Sequence, residues 1–149
     1  MGPEDITTRQ IAAVRALARA SRFLERASDE LSLAHYRILS AVASGDERAS
    51  RVAHRLSLGK PTVSAAVDAL TQRGLLARSD VRGDQRGTTL SLTPDGMALL
   101  ARVEADMVGR LEEVSERIAD PEALLRALVQ LGAAIDEVRA ERSPLEQPA

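Results

Sequence analysis

The sequence predicts a mainly α-helical protein with a small β-hairpin. Apolar residues recur at three- and four-residue steps over most of the 149-residue chain, which is the period of amphipathic helices. Aromatic residues make up only 1% of the chain, so the core must be built from Leu, Val, Ile and Ala, which favours closely packed helices. The exception lies at residues 75–92, where two short strand-like runs flank a glycine-bearing loop.

Composition excludes several classes of function. The chain has no cysteine, which rules out disulfides, thiolate zinc sites and cysteine-based redox sensing. Its two histidines have no metal-binding spacing, and the serine motifs of nucleophilic enzymes are absent, so we expect no metal, no cofactor and no catalytic residue. No apolar run approaches the ~18 residues that cross a bilayer. We therefore expect a cytoplasmic protein that is not an enzyme and does not contact a membrane.

Charge is unevenly distributed along the chain. The net charge is −2, but residues 48–87 hold eight basic and three acidic residues and so carry +5, which leaves −7 for the rest. A basic central segment between acidic flanks is typical of a nucleic-acid-binding protein whose other parts serve another purpose. An arginine-rich solvated surface is the alternative interpretation.

The N-terminal third of the chain predicts two helices. The first covers residues 5 to about 28, with Asp5 or Thr7 as its cap, and carries an apolar stripe that includes Ile11, Val14 and Leu17. The second covers residues 33–43. The cluster Ser44-Gly45-Asp46 follows the second helix and is expected to end it.

A helix-turn-helix follows. A short helix at residues 49–56, with Ser50 near its cap, leads into the turn Ser57-Leu58-Gly59, whose glycine suits a sharp angle between helices. The next helix, residues 60–73, has Pro61 in its first turn and ends at Gly74. Its apolar stripe is expected to face inward, and its opposite face is short-chained and nearly uncharged. Such a face suits close approach to base edges in a DNA major groove.

The strand-like runs form the predicted hairpin. Leu75–Arg78 and Thr88–Leu92 are expected to pair across the turn-rich loop Asp80–Gly87. The loop carries Arg82 and Arg86. Arginines at a hairpin tip are drawn to the negative potential of a DNA minor groove.

Two long helices complete the chain. Thr93-Pro94-Asp95 is expected to begin the first, which carries an apolar stripe and breaks at Asp120-Pro121. The last helix is expected from Glu122 to about Arg142. The spacing of its apolar residues predicts a heptad seam that packs along another helix, either in the same chain or in a second copy. Residues 143–149 are expected to form a disordered tail. The seam consists of Leu124, Leu128, Leu131, Ile135 and Val138.

Helix, turn, helix, strand, basic loop and strand together make a winged helix-turn-helix, and its form resembles the MarR family of bacterial transcription regulators. The resemblance is carried by PTVS at residues 61–64, by VDAL and RGL within residues 67–75, and by Asp-Gln-Arg at 84–86, which matches the Asp-x-Arg of the family's wing. Leu-Thr and Gly at 92–96 close the match, which extends from about residue 11 to 138. The resemblance implies one domain over residues 1–149, with a DNA-binding lobe at 46–93 and a helical dimerisation region at 5–45 and 94–142.

The same resemblance implies a homodimeric repressor that binds a pseudo-palindromic DNA operator and responds to a small-molecule effector. Each recognition helix would enter a major groove and each wing a minor groove, with half-sites ~34 Å apart. Arg86 would contact the minor groove or a phosphate, and Asp84 would hold either Arg86 or the wing backbone in position. The expected DNA-binding residues are Arg51, Lys60, Pro61, Thr62, Ser64, Ala65, Asp68, Gln72, Arg82, Asp84 and Arg86.

The family's effector pocket lies between the dimer layer and the DNA-binding lobe. In this chain that region would include Phe23, His35, Tyr36 and Arg37. A partly buried histidine beside a core tyrosine is the simpler interpretation of His35 and Tyr36.

The sequence departs from the family pattern on the recognition helix. Ala65 and Ala69 stand where many members have arginine, so bidentate contacts from arginine to guanine are missing there. The chain has no asparagine, which leaves Gln72 and Gln85 to read adenine edges. We therefore expect the wing arginines and DNA shape to contribute much of the binding. A winged-helix module that binds protein instead of DNA is the alternative.

Overall fold

The computed structural model describes residues 3–45, 48–80 and 88–142. It confirms a mostly helical chain with one two-stranded hairpin. In chain order the elements are α1 (Pro3–Glu25), α2 (Leu33–Ala43), α3 (Ala49–Leu56), α4 (Lys60–Gln72), β1 (Leu76–Asp80), β2 (Thr88–Leu92), α5 (Pro94–Ser115) and α6 (Pro121–Arg142). The tail predicted at 143–149 lies outside the described residues.

The predicted ends of α1 are wrong by two or three residues. The helix begins at Pro3, so neither Asp5 nor Thr7 caps it, because proline is already suited to a first helical turn. It ends at Glu25, and the Ala27 amide closes a turn on the Leu24 carbonyl at 2.9 Å. Likewise Arg48, not Ser50, is the cap residue of α3.

The turn between α3 and α4 departs from the prediction in an informative way. The left-handed residue is Ser57, with φ of 53°, whereas Gly59 has an ordinary φ of −62° and caps α4. The chain reverses immediately after α3, where the Leu58 amide binds the Ala53 carbonyl at 3.0 Å. Gly74 behaves as predicted: its φ is +72°, and the Leu75 amide closes on the Leu70 carbonyl at 2.9 Å.

One apolar core lies between α2, α3, α4, the hairpin and the first half of α5. The strands pair antiparallel, and Leu76 and Leu90 point into this core. The predicted inward stripe of α4 is confirmed, because Val63, Val67 and Leu70 are at most 1% exposed. The other side chains that are almost fully buried are Ile38, Leu39, Val52 and Val103.

The two terminal helices contribute little to that core. Only the end of α1, at Leu24, packs against it. Within the described residues α6 buries none of its side chains, and Ile135 in its predicted seam is 40% exposed. The Asp120 carboxylate caps α6 by accepting from the Ala123 amide at 2.9 Å.

Candidate nucleic-acid interface

The exposed face of α4 follows directly from the burial of its apolar stripe. With Val63, Val67 and Leu70 inward, helical geometry turns the intervening positions outward. This outward face is short-chained, as predicted. Every α4 residue predicted to bind DNA is exposed: Lys60, Pro61, Thr62, Ser64, Ala65, Asp68 and Gln72.

α3 lies against α4 and presents basic side chains beside that face. Val52 and Ala53 are buried, while Arg51 and His54 are exposed and Arg55 is half-buried. Arg51 is therefore accessible, as its predicted role requires.

Asp68 is tied to the hairpin rather than projecting alone. Arg78 Nη2 on β1 donates to Asp68 Oδ1 at 2.5 Å, and both side chains remain about half exposed. The pair joins the outward face of α4 to the base of the wing and neutralises the only carboxylate on that face. Sequence reasoning placed Asp68 at the interface but missed Arg78, because a pairing from helix to strand leaves no local periodicity.

The base of the wing is held by a compact junction. The Thr93 hydroxyl donates to the Gly74 carbonyl at 2.6 Å and accepts from the Gly96 amide at 3.0 Å, and the Thr93 amide donates to the Leu75 carbonyl at 3.1 Å. A Cβ on Gly96 would lie 2.0 Å from the Leu75 carbonyl oxygen. This contact explains why glycine occurs in the first turn of α5.

Arg82, Asp84 and Arg86 lie outside the described residues. The described part of the hairpin ladder ends at the pair Asp80 and Thr88. The roles of Arg82, Asp84 and Arg86 stay predictions.

The four predicted effector residues face different neighbours. Phe23 lies under the Arg110 guanidinium, 5.7 Å from ring centroid to Cζ, at the contact of α1 with α5. The Tyr36 hydroxyl lies near Glu104 and Ser40, and its pKa is raised, chiefly by burial and then by the Glu104 charge. Arg37 is exposed. The effector site stays a prediction.

His35 is half-buried and faces the end of α4. Burial lowers its pKa, and the positive charge of Arg73 lowers it further. His35 and Tyr36 diverge because successive helical residues point about 100° apart, at 3.6 residues per turn. The two residues therefore report on different contacts of α2, one with α4 and one with α5.

Two depressions lie elsewhere on the described surface. A groove of about 1140 Å³ runs between the α3–α4 turn and α6, with Leu58 on one wall and Ile135 and Val138 on the other. Arg139 Nη1 spans its edge to the Arg55 carbonyl at 2.7 Å. A second, polar depression of about 400 Å³ lies where the α1–α2 connection, the end of α4 and the start of α5 meet.

Neither a metal centre nor a membrane span is evident in the described part of the chain. Within residues 3–45, 48–80 and 88–142, no group of three or more acidic or histidine side chains is arranged to hold a metal ion. None of the helices there has both the length and the apolar character to cross a bilayer.

Comparison with known proteins agrees with this geometry. The MarR family profile matches residues 29–87, from the connection before α2 to the wing. The transcriptional regulator PecS of Dickeya dadantii is 27% identical over 136 residues, covering 84% of this chain and 82% of PecS. A putative regulatory protein for the hcr operon of Thauera aromatica is 29% identical over 114 residues, covering 76% of this chain and 66% of that protein. The repressor CouR, solved on a 23-mer DNA duplex, superposes with a TM-score of 0.70 at 27% identity, covering 80% of this chain and 89% of CouR.

The fold, the exposed recognition face and the hairpin define a winged-helix transcriptional regulator. Over residues 29–87, the part that holds the winged helix-turn-helix, the chain matches the MarR family of transcriptional regulators. This family consists of transcription regulators and not of enzymes, which agrees with the expected absence of a catalytic function.

Proposed function

We propose that this chain is a homodimeric repressor that binds a pseudo-palindromic operator, and that a small molecule releases it from the operator or changes its DNA binding. The observation that carries the proposal is the outward face of α4, where short polar side chains are exposed beside the basic α3. A surface helix that met only water would not need such a smooth face. CouR, a repressor of similar fold, was solved on a DNA duplex, which supports DNA as the partner of this chain.

In the proposed complex, the recognition helix makes few strong base-specific contacts with DNA. Thr62, Ser64 and Gln72 offer hydroxyl and amide groups, and Ala65 offers a methyl group that fits beside thymine. Asp68 is engaged by Arg78, so its contribution is to hold the helix and the wing in register. Affinity then depends on Arg51, Lys60 and the wing arginines, which meet phosphates and the minor groove.

The proposed homodimer uses α1 and α6. Both helices carry apolar side chains that a single chain leaves in solvent, among them Val14 at 67% and Val129 at 75% exposed. Contiguous apolar patches of this kind mark interaction surfaces. The groove beside the α3–α4 turn has room for part of a partner helix, because ten residues of helix with side chains fill very roughly 1200 Å³.

A proposed effector would bind where the helical layer meets the winged helix. Phe23 and Tyr36 both contact α5, the helix that runs from the hairpin to the helical layer. A ligand that separates either contact could move α5 and, through it, the recognition helix. His35 lies close enough to Arg73, at the end of the recognition helix, for the arginine charge to lower its pKa.

The test is a gel-shift titration on the intergenic DNA upstream of the protein's own reading frame. We expect tight binding with a steep salt dependence, because several arginines displace counterions from phosphates. Arg86→Ala should weaken binding on every sequence and flatten the salt slope by roughly one, whereas Ser64→Ala should alter sequence preference. Arg126→Ala, an exposed arginine on α6, is the matched control. Absence of binding at low salt would overturn the proposal and favour a protein-binding module.

A further inference from the structure

Glu30 joins three elements that are distant in sequence. It lies in the connection between α1 and α2, at the edge of the polar depression. Arg73 Nη2, from the C-cap residue of α4, donates to the Glu30 main-chain carbonyl at 2.9 Å. Arg102 Nη2, from α5, donates to Glu30 Oε2 at 2.8 Å. One residue thus contacts both the end of the recognition helix and the long helix that leads to the helical layer.

The contacts of Glu30 with Arg73 and with Arg102 are both sensitive to the angle between α4 and α5. A rotation of α4 against α5 would carry Arg73 and Arg102 in different directions, and Glu30 cannot follow both. The carboxylate is well suited to this role at neutral pH, since its hydrogen bond with Arg102 lowers the pKa of Glu30. The contacts are also chemically separable, because one uses the main chain and the other the side chain.

The fold does not depend on this node. The Glu30 and Arg102 side chains are 50% and 58% exposed, and exposed ion pairs contribute little to stability. Leu31, Leu70 and Leu99 are buried in the common core and hold the α1–α2 connection, α4 and α5 together. A weak contact above a firm core is able to bias small differences in helix orientation without holding the fold together.

We propose that Glu30 is a positioning residue for DNA binding: through Arg73 and Arg102 it fixes the angle of the recognition helix on α5. The inference rests on the proposed function, because two recognition helices must match two half-sites at once. A relaxed angle costs affinity at the correctly spaced operator and reduces discrimination against wrongly spaced ones. Binding to random DNA, which needs no fixed spacing, is unaffected.

Glu30→Gln tests this directly, since it keeps the main-chain carbonyl and the side-chain size while removing the charge. The probes are a duplex bearing the footprinted site from the protein's own upstream DNA, versions of it lengthened by one and two base pairs between half-sites, and a random duplex. We expect about three- to tenfold weaker binding to the native site, a smaller preference over the lengthened sites, and unchanged binding to random DNA. The melting temperature should stay within error of wild type.

Glu25→Gln is the matched control, because Glu25 forms a similar pair with Arg22 inside a single helix at 2.6 Å. It should leave spacing discrimination unchanged. The exchanged pair Glu30→Arg with Arg102→Glu should restore discrimination that either single change loses. Wild-type discrimination in Glu30→Gln would overturn the positioning role, whereas failure of the wild-type protein to bind its upstream DNA would overturn the proposed function itself.

Discussion

The winged helix-turn-helix and the terminal helices differ in how far a single chain completes their packing. Among the described residues, the buried apolar side chains all lie between Leu31 and Met107. No buried side-chain polar atom there lacks a hydrogen-bond partner. By contrast α6 buries nothing, and the large apolar side chains of α1 from Ile6 to Leu17 are 45% or more exposed.

This difference links the winged helix to the folding of one chain and the terminal helices to its proposed association with a second chain. Most helix stability in proteins comes from packing an apolar face, and a 22-residue helix that buries no side chain lacks that contribution. The winged helix finds its packing partners within the chain, whereas α6 and the first half of α1 do not and would pack against the second chain in the proposed homodimer. Changes in the first region should therefore alter the free energy of unfolding, and changes in the second should alter the association equilibrium.

The largest effect is expected at Gly96, in the self-contained region. Gly96→Ala puts a Cβ 2.0 Å from the Leu75 carbonyl oxygen, so the start of α5 must move away from Leu75. We expect a loss of about 3 kcal/mol in the free energy of unfolding, at the upper end of overpacking effects. Urea unfolding at fixed protein concentration measures it.

Gly109→Ala is the matched control on the same helix. A Cβ at Gly109 meets no atom within 4 Å, so the better helix propensity of alanine should add up to ~1 kcal/mol. Equal losses in the two variants would show that the Gly96 contact does not limit packing.

The next largest effect is expected on α6 and should appear in assembly. Ile135→Asp places a charge on the exposed apolar seam, 40% exposed in one chain and buried in the proposed dimer. The dimer dissociation constant should rise about 100-fold, which corresponds to ~2.7 kcal/mol. Analytical ultracentrifugation over a dilution series measures it, with Asp136→Asn, at an exposed position beside the seam, as the control. A variant that stays as dimeric as wild type would remove this seam from the interface.

The sequence predicted the features that local patterns encode, but not those that depend on tertiary packing. Helix positions, the inward stripe of α4 and the hairpin were predictable because local periodicity and turn residues encode them. The left-handed residue at Ser57 was not, since the geometry after α3 decides which turn residue reverses the chain. The Asp68–Arg78 and Glu30–Arg102 pairs were not either, because contacts between residues 10 and 72 positions apart depend on tertiary packing.

The candidate effector site shows a further limit. The resemblance located a region, but two neighbours on α2 lie near different helices, so the sequence did not predict how they are arranged around a ligand. His35 faces Arg73 while Tyr36 faces Glu104. The helical period could have predicted from the sequence that these two adjacent side chains point in different directions.

The smallest expected effect is a pH dependence at His35, within the self-contained region. Its folded-state pKa is lowered from about 6.5 by burial and by Arg73, so the unfolded chain takes up a proton first as the pH falls. Stability is therefore fully retained above pH ~7.5 and declines below about 6.5. His35→Gln should lose less stability than wild type between pH 7.5 and 5.5, measured by urea unfolding. His54→Gln, at an exposed position on α3, should keep the wild-type decline; if His35→Gln declines equally, burial beside Arg73 does not disfavour the charged imidazole.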